Sequence, residues 1–303
     1  MPINPAETRH HQSYLRGVVL VALGMAVSST IGLGFRATEE ATAWQILTYR
    51  SIGTIVFMAS ILGWRNAGGL HLLVRHLTPA AFGGGFGLML ASCGVIVAFE
   101  HTTVANALFL LATAPFFAAI LGSVLLAERV RPEAWIAIAL GLVGVAIMVG
   151  DGLSRGNLWG NVAGLIAALG LAVFAVALRW GRTTDLLLLA LVGGCMTFVV
   201  AASATFVTGI GLAVSAQDLL IGLAMGAFQL GCALLLILAG SRSVPAAEIA
   251  LLGLVEIILA PVWVWLVFGE RVGLLTLVGG ATVLIAVLID TLSGLRRTQD
   301  KRA

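Results

Sequence analysis

The sequence predicts an all-α polytopic membrane protein: ten transmembrane helices arranged as two inverted five-helix repeats. Three observations carry this. Of the 303 residues 60% are hydrophobic and 10% charged, with a mean hydropathy of +1.07. A soluble domain carries about 25% charge, so this chain cannot cover a water-facing surface. One stretch is used twice. Ala105 begins an apolar run that leads to Glu128-Arg129-Val130, and Ala247 begins one that leads to Glu270-Arg271-Val272, a shift of 142 (270 − 128). Lysine and arginine collect in alternate loops. Self-similarity of this kind decides the architecture before any single element does.

In chain order, residues 1–16 are polar and predict a disordered tail with Arg9, His10, His11 and Arg16. The apolar run 17–35 is longer than a signal-peptide core and lacks a small-residue cleavage site, so an uncleaved first span is expected. Further apolar runs follow at roughly 43–63, 79–99, 104–126, 133–149, 158–179, 186–207, 217–239, 245–268 and 272–293. Each approaches the ~20 residues that a helix needs to cross the hydrocarbon. Backbone groups in lipid must pair within their own segment, so helices are the expected form. Arg65 to Thr78, with Gly68-Gly69, predicts a connecting turn. Gly150-Asp151-Gly152 predicts a helix break. The resulting division is a tail at 1–16, a first repeat at 17–150, a linker at 151–157, a second repeat at 158–293 and a basic tail at 294–303.

With the amino terminus placed in the cytoplasm and ten alternating spans, 13 of the 17 Lys and Arg residues fall in cytoplasmic pieces and three on the other side, leaving Arg50 inside a span. This bias predicts cytoplasmic termini. Five spans per copy is odd, so the second copy enters from the opposite face. That is a transporter arrangement, with the substrate site near the midplane between the halves. Gly83, Gly87 and Cys93 fall on Gly222, Gly226 and Cys232 at a shift of 139, which makes the third and eighth spans equivalent and requires three extra residues downstream. Small-xxx-small pairs of this kind let helices approach closely. Cys93, Cys195 and Cys232 all lie in apolar runs, without a disulfide framework or metal spacing.

The chain resembles the EamA-type drug/metabolite transporters. The resemblance rests on Thr102-Thr103-Val104-Ala105-Asn106-Ala107, on Ala127-Glu128-Arg129-Val130, on Glu256 and Gly269-Glu270-Arg271-Val272, and on Arg50 in the second span. It covers most of 17–293. It implies a multi-pass protein of a bacterial inner membrane that exports amino acids or other small metabolites. It also implies a cavity lined by the first, third, fourth, sixth, eighth and ninth spans, with the fifth and tenth peripheral. The chain departs from the family pattern at Val27 and Leu171, where tryptophan is frequent, and at Glu256-Ile257, where Glu-Pro is frequent.

An ionisable group inside the membrane is a functional hypothesis by default. Glu256, midway along its span, is the first candidate for a substrate amine or a proton, against a structural acid near Pro261. Gln229 offers a donor and an acceptor, or else joins helices. Ser28, Ser29 and Thr30 interrupt the first span, and Asn106 and Thr113 the fourth, although hydroxyls also bond their own helix. Cys93, Phe174, Trp263 and Trp265 complete the candidate substrate path, with interfacial anchoring the alternative for the aromatics. Arg50 is expected to pair with Glu39, Glu40 or Glu100, and Glu100 and His101 to stand at a solvated mouth or to gate it. Glu128-Arg129 and Glu270-Arg271 are expected to be structural ends. No catalytic motif, P-loop, metal site or cofactor site is expected. The expected partners are a small-molecule substrate and the lipid bilayer, not nucleic acid, with the chain a monomer or homodimer. The reading is therefore a secondary carrier working by alternating access. A multidrug or nucleotide-precursor exporter is the alternative, and an intramembrane enzyme the alternative of another class.

Overall fold

The computed structural model describes residues 5–65, 77–128, 130, 132–154, 158–181 and 185–300. Among the described residues ten helical spans are long and apolar enough to cross a bilayer. They are Ser13–Arg36, Ala43–Arg65, Pro79–His101, Val104–Leu125, Pro132–Gly150, Leu158–Trp180, Leu186–Val207, Ala216–Ser241, Leu251–Phe268 and Leu274–Ser293, called here the first to tenth spans. Their alternation puts the start of the first span and the end of the tenth on one face, the terminal face. The other is the far face.

Helix ends differ from expectation in three places. The first helix starts at Pro5, within the tail expected to be disordered. The fifth continues through Gly150-Asp151-Gly152 to Ser154. A glycine costs a helix only about 1 kcal/mol, and Gly150 has nothing packed against it, so no contact enforces a break. The tenth helix runs on to Asp300. The turn expected after Arg65 falls largely on residues 66–76, outside the described residues.

Local chemistry sets several starts. Thr78, Thr103, Asp185 and Ser215 each accept a backbone N–H of the next turn, which satisfies donors that a helix start leaves free. Three spans are irregular. The first stops at Ser28 and resumes at Ile31. The Ser29 and Thr30 hydroxyls donate to the carbonyls of Ala26 and Val27 across the gap. The fourth breaks between Leu111 and Ala114, where Pro115 supplies no N–H to the carbonyl four residues back. The eighth is a π-helix over Met225–Cys232, a form that concentrates at functional sites.

The halves are interlocked. The main packing partners are third with sixth, fifth with tenth, second with seventh, third with seventh, first with eighth, second with eighth, fourth with sixth and first with ninth. Every one of these pairs joins one half to the other. An exchange of halves maps first–eighth onto sixth–third and fourth–sixth onto ninth–first. Lipid offers no hydrophobic drive for helix association, so close approach does the work. A Cβ on Gly226 would lie 2.0 Å from the Arg50 carbonyl oxygen, and one on Gly87 would lie 2.5 Å from the Phe174 nitrogen.

These contacts correct the glycine register. Gly87 faces the sixth span, whereas Gly226 faces the second. The spatial counterpart of Gly226 on Arg50 is Gly85 on Gly193, since a Cβ on Gly85 would sit 3.0 Å from the Gly193 nitrogen. Those pairs are shifted by 141 and 143, in line with Glu128 and Glu270 at 142. Glycine makes up 37 of the residues, so chance matches at 139 come easily. The largest buried apolar cluster includes Ile46, Ile96, Phe99, Leu108 and Val264, all in the halves of their spans nearer the far face.

Candidate functional site

Midway through the bilayer, at the seam between the halves, three spans meet in a polar cluster. The first span ends its long helix at Ser28, whose hydroxyl donates to Glu256 Oε1 at 2.6 Å. Glu256 lies at the middle of helix Ala246–Phe268 and is half-buried. Gln229, inside the π-helix, donates through Nε2 to the Ser28 carbonyl at 3.1 Å. That carbonyl lies at the break, where the helix no longer uses all its acceptors. Gln229 Oε1 is buried and has no partner. Two turns beyond Glu256, Trp263 donates from Nε1 to Ser29 Oγ at 3.0 Å. The break in the first span thus presents its polar groups to the eighth and ninth spans of the other half.

Arg50 lies in the second span, 5% exposed. Glu39, Glu40 and Glu100 are not its partners, contrary to expectation. Asp218 accepts the backbone N–H groups of Glu39, Glu40 and Ala41 instead. Glu100 stands 3.9 Å from its neighbour His101 at the exposed end of the third span. The structure brings Gln229, Glu256, Ser29 and Trp263 together at the break of the first span, whereas Cys93 packs against the apolar cluster around Phe99 and Val264.

The remaining candidates lie elsewhere. Asn106 bonds Thr102 and Asn161 where the fourth and sixth spans begin. Thr113 and Thr30 donate to their own helices. Phe174 meets Gly87 through its backbone. Among the described residues no group of three or more histidine, cysteine or acidic side chains is arranged to hold a metal.

Three arginine–acid pairs were not foreseen from the sequence: Arg65 with Asp185, and two that mirror each other. On the far face Arg36 binds Glu270 at 2.7 Å, and donates to the Thr102 carbonyl, while Glu270 also accepts the Val104 N–H. On the terminal face Arg179 binds Glu128 at 2.7 Å and donates to the Ala118 carbonyl. The two pairs are counterparts: Glu128 and Glu270 are 142 apart, Arg36 and Arg179 are 143 apart. Each Glu follows a left-handed residue, Ala127 (φ 54°) or Gly269 (φ 66°), that turns the chain back toward the other half. The signal lay in the second shift, of the arginines.

A ten-span protein of two inverted halves with a polar cluster at their seam has the architecture of a membrane transport protein. The sequence model of the EamA-like transporter family matches residues 15–150 and again 155–291. The chain belongs to that family. It is similar to "Uncharacterized transporter PA0485" of Pseudomonas aeruginosa, 31% identical over 144 residues, a match covering 44% of this chain and 46% of that protein. The match thus spans about half the length of this relative. A solved structure described only as "Crystal structure of protein" shares the fold with a TM-score of 0.62 at 20% identity, over 92% of this chain and 98% of the other.

Proposed function

We propose that this protein is a secondary carrier that exports small, partly apolar metabolites, most of all amino acids, across a bacterial inner membrane by alternating access. The observation that carries this reading is the bond from Ser28 to Glu256, with Gln229 of the eighth span donating to the carbonyl of the same Ser28. A carboxylate at mid-membrane is costly unless it faces a polar cavity, a cation or a proton. An ammonium group from the substrate, or a proton between substrates, supplies that partner. The unpaired Gln229 Oε1 is a second acceptor for it.

Two features support motion of the halves against each other. The far halves of the spans are packed into the apolar cluster around Phe99 and Val264. A cavity of about 670 Å³, reaching from Ala114 and Leu171 to Glu128 and Arg179, opens toward the terminal face. With cytoplasmic termini, that is the side from which an exporter loads.

The test is counterflow in proteoliposomes containing the full chain, with labelled amino acids and nucleobases offered in turn and ion gradients imposed and removed. Saturable exchange of an unchanged amino acid is expected. Exchange confined to nucleobases, or chemical conversion without flux, would contradict the reading.

A further inference from the structure

We propose that Arg50 is the anion-binding residue of this site, holding the carboxylate of the substrate while Glu256 faces its ammonium group. The assignment rests on the carrier reading above. It begins from an isolation unusual for an arginine. Arg36, Arg65 and Arg179 each pair with an acid. Arg50 is deeply buried, yet its Nε has no hydrogen-bond partner, and no hydrogen bond or ion pair reaches its guanidinium among the described residues. A guanidinium stays charged in proteins. Within a membrane such a group normally finds an acid or backbone carbonyls. A structural arginine here would be expected to show those partners.

Its surroundings are polar, and a water-sized space adjoins it. The residue that corresponds to Arg50 in the second half is Gly193, and Thr54 corresponds to Thr197, each at a shift of 143. Arg50, Ser51, Thr54, Ser92, Gly193 and Thr197 border a small cavity of about 20 Å³ where the second and seventh spans cross. That is room for about one water molecule. The pseudo-symmetry axis therefore carries one guanidinium and not two. Its planar fork of donors matches a carboxylate, which it can bind through two parallel hydrogen bonds. Glu256 is joined through Ser28 to Gln229, which lies within one turn of the Gly226 that packs on the Arg50 backbone, and part of its surface is open. Together the two charges are complementary to a zwitterion. A simple amine leaves Arg50 unpaired, and a simple acid leaves Glu256 unpaired.

The experiment uses purified full-length protein and two readouts. The first is melting without ligand. Arg50→Met removes a buried charge that no protein group engages by hydrogen bond or ion pair among the described residues, so the melting temperature should rise, by roughly 2 °C or more for a chain of this size. A lower melting temperature for both Arg50→Met and Arg50→Lys would mean a structural arginine and overturn the proposal. The second is ligand-induced stabilisation by leucine, by leucinamide (no carboxylate) and by 4-methylpentanoate (no amine). The parent should favour leucine over leucinamide by about tenfold or more, the range of a charged hydrogen bond. Arg50→Gln should bind the two alike, and Arg50→Lys should keep part of the preference. An unchanged preference in Arg50→Gln, or stabilisation of the parent by none of the three compounds, would also overturn it. Arg50-dependent binding of 4-methylpentanoate without binding of leucine would support the anion site while defeating the amino-acid reading.

Discussion

The two seams of this molecule share a skeleton and differ in chemistry. One joins the first span to the eighth and ninth, the other the sixth to the third and fourth. A shift of 142 or 143 carries Arg36 to Arg179, Thr54 to Thr197, Leu88 to Leu230 and Glu128 to Glu270. The same shift carries Ser28 to Leu171, Gly87 to Gln229, Ala114 to Glu256 and Arg50 to Gly193. So the polar cluster has an apolar image, and that image, through Ala114 and Leu171, borders the large cavity on the terminal face. Repetition preserves what geometry demands: helix ends, close approaches and ion pairs at the rims. Buried charge is expensive in lipid, and it is placed once.

Forcing the images to match should therefore be the most damaging change. In Gly193→Arg, a Cβ alone would come within 2.8 Å of the Leu88 Cβ, and the new guanidinium would face Arg50 across the axis. Loss of the monodisperse peak in size-exclusion chromatography of the detergent extract is expected. Gly83→Ala, whose Cβ would meet nothing nearer than 3.8 Å, should run like the parent.

The rim ion pairs sharpen the comparison on a smaller scale. On the far face the Arg36 and Glu270 side chains are 28% and 17% exposed, against 42% and 44% for Arg179 and Glu128 on the terminal face. Glu270→Ala strands both Arg36 and the Val104 N–H, a loss of about 2 kcal/mol by the cost of partly buried charges and unmet donors. Glu128→Ala breaks a solvated pair and should cost about 0.2–1 kcal/mol. Thermal melting of the two variants checks the order, and equal shifts would remove the asymmetry between the rims.

The span count and the inverted repeat were legible because period and composition report on lipid contact along the whole chain. Glu256 and Gln229 stood out because a polar side chain in mid-span is conspicuous. The break at Ser28 was visible only as three hydroxyls, since hydroxyls sit in unbroken helices equally well. The isolation of Arg50 could not be read, because it depends on what three other spans place beside it. The π-helix around Gln229 leaves no mark in hydropathy, which does not register one extra residue in a turn. The glycine register failed for a related reason: a face of small residues repeats so often that sequence alone does not say which helix it meets.

The central claim is that transport chemistry resides in the polar seam and turns on Glu256. Its most direct test is counterflow of a labelled amino acid, across a pH series, by the parent and by Glu256→Gln in proteoliposomes. Gln keeps the shape and an acceptor for Ser28 while removing the titrating group. Reduced exchange with a flattened pH dependence is expected in a variant that folds and reconstitutes like the parent. Exchange equal to the parent at every pH would contradict it.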